Sequence, residues 1–208
     1  MIAYFHGLNG AASQKPKLLE QAYRNLPPNV FPRTFLNPTY HDKKSYLDAI
    51  ESVTSWIKGR KILEPSVIVG SSLGGFAALI AAGRTGALAC LINPCLEPLK
   101  SLPGKVDDDW LAALGELYTE SLSKQNTQDS DAAYKAYINR DDELLYPFAE
   151  ALKAAGIYSV KEYAHGGHRA ENFESEILPE LMKEYADSEK VQVLVMEGRG
   201  EPCRDCWE

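Results

Sequence analysis

Six short runs of β-branched, aromatic and small apolar residues recur along the chain, and stretches with helical spacing separate them. The runs are Ile2–Phe5, Val30–Phe35, Ser66–Val69, Ala87–Ile92, Ala133–Ile138 and Tyr158–Tyr163. Between the first two, Leu18, Leu19, Ala22, Tyr23 and Leu26 share one helical face. Tyr46, Leu47, Ile50, Val53 and Ile57 do the same before the third. Parallel strands need a crossover of a dozen or more residues, usually a helix. This alternation therefore predicts an α/β fold with a mainly parallel sheet and helices on both faces.

A chain of 208 residues, 45% hydrophobic and 25% charged, is enough for one sizeable core, and a single domain is expected over residues 1–190. The formal charge of −7 is spread along the sequence, with no Lys/Arg cluster interleaved with aromatics. Nucleic acid and anionic membrane surfaces are not expected partners. No run approaches the roughly 18 apolar residues of a membrane span. Because a strand-like pattern begins at Ile2 with no basic segment before it, a cytoplasmic location is expected.

Two stretches break the strand–helix rhythm. Cys95–Asp131 contains LEPLKSLPGK and DDDWLAALGELYTESL, a loop followed by an amphipathic helix, and is expected to cover a site as a lid. After a helix-like Phe173–Tyr185, Val191–Met196 reads as strand-like, and EGRGEPCRDCWE as a mobile tail. Cys203 and Cys206 invite a metal reading, but a zinc site needs four ligands and no second such pair completes one. No metal or organic cofactor is expected; pairing of two chains through these cysteines stays open, as does the oligomeric state. With Cys90 and Cys95 they are too few and too unevenly placed for a disulfide scaffold.

Ligands of a parallel sheet gather at the carboxyl ends of its strands. There the sequence places His6-Gly7-Leu8-Asn9-Gly10, Gly70-Ser71-Ser72-Leu73-Gly74, Asn139-Arg140-Asp141-Asp142-Glu143 and His165-Gly166-Gly167-His168. Gly70–Gly74 is G-x-S-x-G between a strand and an Ala-rich helix, the pattern of a nucleophile elbow with its serine exposed on a strained turn. Ser72 is then the nucleophile. The Leu73 N–H, in the first helical turn, lacks an intrahelical partner and can donate to a developing oxyanion. The second donor is expected from Leu8.

The order nucleophile, acid, histidine is that of the α/β-hydrolases, and the chain resembles that superfamily. More narrowly it is similar to the small YqiA/YcfP-like family of esterases, through YFHGLNG, GSSLGG, NPCLEP, DDELL and GGH followed by Phe173. These pieces span residues 4–173. The resemblance implies an α/β-hydrolase fold that starts on the His-Gly strand, with Ser72 as nucleophile, Asp142 as acid and His168 as base. The chain departs from the family in carrying Asp141 where a Gly usually precedes the acid, and in lacking a spacer between Gly167 and His168.

The expected activity is hydrolysis of a small-molecule carboxylic ester or thioester. Acyl transfer by the same residues, or a non-catalytic binding role, are the alternatives. His165 competes with His168 for the base, whereas His6 is expected to hold the oxyanion loop and His41 to be solvated. Asp141 reads as a solvated turn carboxylate, and Glu143 as a charge favoured at a helix start.

Overall fold

Strand residues alternate between two buried layers, as a sheet covered on both sides requires. In β3 (Val67–Ser71), Val67 and Val69 enter one apolar cluster and Ile68 the other. The computed structural model describes residues 1–27, 33–59, 65–125, 133–145 and 148–196. The other strands are β1 (Ile2–Phe5), β2 (Phe35–Leu36), β4 (Leu88–Ile92), β5 (Tyr134–Asn139) and β6 (Ser159–Tyr163). All pair in parallel, in the order β2-β1-β3-β4-β5-β6. The chain runs outward from β1 to β2 and then returns to place β3 on the other side of β1. The crevice beyond the carboxyl ends of β1 and β3 is thus the topological switch point, where open α/β sheets bind ligands.

One sheet face carries α1 (Lys15–Arg24) and α7 (Leu178–Met196), entered through a π-helical turn at Phe173–Ile177. Tyr23 and Tyr185 pack edge-to-face there with centroids 4.9 Å apart. The other face carries α2 (Lys43–Lys58), α3 (Leu73–Thr85) and α5 (Asp108–Gln125). Every residue of α3 from Leu73 to Ala82 is buried, and full burial of a side chain such as Phe76 contributes about 1.5–3 kcal/mol. Helix α3 ends at Gly86, whose φ of 72° forms a left-handed cap. Two short helices, α4 (Pro98–Ser101) and α6 (Ala149–Ala154), complete the described elements.

One expectation needs correction. The alternating valines of Val191–Met196 belong to α7, not to a strand. Extending an established helix adds one hydrogen bond per residue, whereas a new strand needs an edge to pair with, so β-propensity is overridden. Within the expected lid, α5 is the crossover between β4 and β5. Its Trp110, Leu114 and Leu117 are buried; Trp110 packs 5.8 Å from Tyr46 of α2, and Glu120 pairs with Arg84 of α3 at 2.6 Å. These side chains seal the helix to the core. The second expected strand is present only as Phe35–Leu36; Val30–Pro32 lie outside the described residues, as does the tail with Cys203 and Cys206.

Candidate active site

The turn from β3 into α3 is held by close backbone approach. A Cβ on Gly70 would lie 2.1 Å from the Gly74 carbonyl oxygen, and one on Gly74 would lie 2.2 Å from that of Phe5. Only glycine at both positions lets the strand, the helix and β1 meet. Between them Ser72 adopts φ 54°, ψ −122°, a region that costs a non-glycine residue on the order of 1–3 kcal/mol. Its backbone is pinned on both sides: the N–H donates to Ile92 O (3.0 Å), and the carbonyl accepts from Gly75 N–H and Cys95 N–H (2.9 Å each). Ser71 remains in the strand and is buried, while Ser72 turns its hydroxyl towards the crevice loops.

Three side chains from separate loops meet there. The His168 ring stands with Nε2 3.0 Å from Ser72 Oγ and Nδ1 2.9 Å from Asp142 Oδ2. Asp142 follows β5 with its side chain fully buried, and its Oδ1 accepts the Leu144 and Leu145 N–H groups at 2.9 Å each. A carboxylate with both oxygens committed as acceptors requires the ring to donate from Nδ1. In the neutral ring Nε2 is then the nitrogen without a proton, and it faces the serine hydroxyl, the geometry that a general base needs. His165 is exposed and lies 3.8 Å from Asp141, not at the serine.

The loop after β1 closes one side. A Cβ on Gly7 would lie 3.1 Å from Ser72 Cβ, so the segment leading into Leu8 runs beside Ser72. Leu73 opens α3 directly behind it. His6 is buried, donates from Nδ1 to Gly7 O (2.7 Å) and stacks on Tyr40 with centroids 4.0 Å apart. The Tyr40 hydroxyl donates to the His6 carbonyl oxygen. Burial lowers the His6 pKa, partly offset by the bond to Gly7, so the ring is a neutral brace for the loop. His41 is exposed, as expected. Burial pushes the thiols of Cys90 and Cys95 up to about 12 and about 11, which makes them inert.

Three side chains around the histidine were misread or missed in the sequence. Asp141 accepts the Gly166 and Gly167 N–H groups at 3.2 and 2.8 Å, so it is not a merely solvated turn residue. Those bonds, that to Gly167 the stronger, hold its pKa below the usual carboxylate range. Glu143 accepts the His168 N–H at 3.3 Å instead of starting a helix. Asn93, with φ 40°, donates to Gly167 O at 2.9 Å and accepts the Asn139 N–H at 2.8 Å. An Asn at the carboxyl end of both β4 and β5 was the available signal, since short amides bridge backbone where strands stop.

Residues 1–146 match the uncharacterised protein family UPF0227. The chain belongs to that family. This accords with the YqiA/YcfP-like resemblance of its motifs. No curated protein matches the sequence. Among solved structures, the chain is similar to a metagenome-derived lipolytic enzyme described with LipS and LipT. That match has 16% identity and a TM-score of 0.65, covering 89% of this chain and 93% of the other. Est1E from Butyrivibrio proteoclasticus is similar at 11% identity and TM-score 0.62, with 92% and 87% covered. Acyl-protein thioesterase 2 from Zea mays follows at 17% identity and TM-score 0.53, with 90% and 92% covered. At these identities the likeness concerns the fold, which is that of the α/β-hydrolases. Among the described residues no helix is long and apolar enough to cross a membrane.

Proposed function

We propose that this member of UPF0227 is a serine hydrolase that cleaves carboxylic esters or thioesters through an acyl-enzyme. The observation that carries the reading is the relay Ser72 Oγ, His168 Nε2, His168 Nδ1, Asp142 Oδ2, with links of 3.0 and 2.9 Å. His168 takes the Ser72 proton as Oγ bonds to the acyl carbon, and Asp142 stabilises the imidazolium that forms. The Leu73 and Leu8 N–H groups donate to the tetrahedral oxyanion. As the intermediate collapses, the C–O or C–S bond breaks and His168 returns the proton to the leaving alkoxide or thiolate. Water, deprotonated by the same nitrogen, then releases the acid and restores Ser72. The substrate is a small acyl ester, and the likeness to a lipolytic enzyme and to an acyl-protein thioesterase supports that class.

The test is a panel of chromogenic esters of graded acyl length, assayed with the wild type and with Ser72→Ala. Hydrolysis by the wild type should fall by on the order of 10⁴-fold or more in the variant. Equal rates from both proteins would overturn the assignment. An added alcohol or amine acceptor should leave the acid as the main product; predominance of the transfer product would favour an acyltransferase instead.

A further inference from the structure

We propose that Asp141 is a positioning residue, which fixes the main chain of the turn carrying His168 while the adjacent Asp142 fixes its ring. This rests on the triad reading above. The turn lies beyond β6 and outside any helix, yet six backbone groups between Gly166 and Arg169 are met by side chains from other elements. Asp141 accepts the N–H groups of Gly166 and Gly167, and Glu143 that of His168. On the opposite side the Gly167 carbonyl accepts from Asn93 Nδ2 (2.9 Å) and Asn139 Nδ2 (3.0 Å). The His168 carbonyl accepts from Asn93 Nδ2 (3.3 Å), and that of Arg169 from Lys15 Nζ. Acids thus face the amides and donors face the carbonyls. Asn93 and Asn139 are completely buried and belong to the core ends of β4 and β5, whereas Asp141 reaches in from the exposed side.

The consequence is mechanical. Ser72 and His168 meet at 3.0 Å, inside the roughly 2.6–3.2 Å that proton transfer requires, and a misplacement of about 1 Å can lower turnover on the order of 10²-fold. Two adjacent carboxylates, Asp141 on the Gly166 and Gly167 amides and Asp142 on the His168 ring, keep Nε2 inside that window. An Asn at position 141 would present an amide N–H to one of two backbone N–H groups. The turn would then lose a contact on the side that the buried asparagines do not cover.

Asp141→Asn should lower kcat about 10- to 100-fold, with KM within about two-fold and Tm close to wild type, because position 141 is at the surface. The decisive arm is a double-mutant cycle with His168→Ala, read both by turnover and by the rate at which a fluorophosphonate labels Ser72. If Asp141 acts through His168, adding Asp141→Asn to His168→Ala should change neither rate by more than about two-fold. The same fold-loss in both backgrounds would show a general structural role and overturn the proposal. Wild-type kcat in Asp141→Asn, with Ser72→Ala and His168→Ala inactive, would overturn it and leave the triad standing. An active Ser72→Ala would remove the triad, and this proposal with it.

Discussion

His168 Nε2 lies 3.0 Å from Ser72 Oγ, joining two side chains 96 residues apart in sequence. The contact depends on β3 and β6 presenting their carboxyl ends to one edge of a sheet, with β4 and β5 between them. Nothing local creates it.

Asp142, 2.9 Å from the ring, is the most direct place to perturb the histidine. Asp142→Asn retains side-chain volume and one acceptor for the Leu144 and Leu145 N–H groups, so the fold should survive. The ring would lose the carboxylate that sets its tautomer, and turnover should drop by about 10³- to 10⁴-fold. Ester hydrolysis by the variant near the wild-type rate would mean that the acid is elsewhere.

The elbow depends on the missing side chain at position 74. In Gly74→Ala the new Cβ would stand 2.2 Å from the Phe5 carbonyl oxygen, a backbone atom that cannot swing away. Destabilisation of about 3 kcal/mol or more is expected, at or beyond the upper end of ordinary overpacking. Urea unfolding measures it; an unchanged midpoint would contradict the packing described.

Helix α5 separates stability from activity. Leu114 is completely buried between that helix and the core, and Leu114→Ala should cost about 2–5 kcal/mol. Because the buried side of α5 packs on α2 and α3, kcat at a temperature where the variant is folded should stay within about two-fold of wild type. A collapse of kcat without loss of stability would favour the lid reading for this helix.

Acid should expose the role of His6. Its pKa is lowered in the fold by burial, whereas the unfolded chain protonates it near the ordinary value of about 6.5. Between those two values the unfolded state holds more protons, so stability is full above about pH 6.5 and falls as pH drops through the folded value. Replacing the ring by His6→Gln should flatten this part of the stability–pH curve, by no more than about 1.4 kcal/mol per pH unit, the slope for one proton. An unaltered slope would show that His6 does not titrate in this window.

Much of this arrangement was legible in the sequence because it follows from local patterns. The β-branched Val67–Val69 run, the glycines at 70 and 74 and the helical spacing after them specify a strand, a tight turn and a helix with no tertiary information. Asp142 and His168 could be placed at strand ends by the same means. The backbone partners of Asp141 and Glu143 could not, since those bonds join residues 25 or 26 apart whose approach is set by the pairing of β5 with β6. The end of α7 escaped for the opposite reason: alternating valines look like a strand locally, and only the helix already under way from Leu178 decides their conformation.

The central claim is that Ser72, and not its neighbour Ser71, becomes covalently bonded to the acyl carbon. Intact-mass spectrometry after exposure to a fluorophosphonate tests it most directly, with peptide mapping of the adduct and the variants Ser71→Ala and Ser72→Ala alongside. One adduct per chain is expected, mapped to Ser72, retained in Ser71→Ala and absent from Ser72→Ala. Full labelling of Ser72→Ala would contradict it.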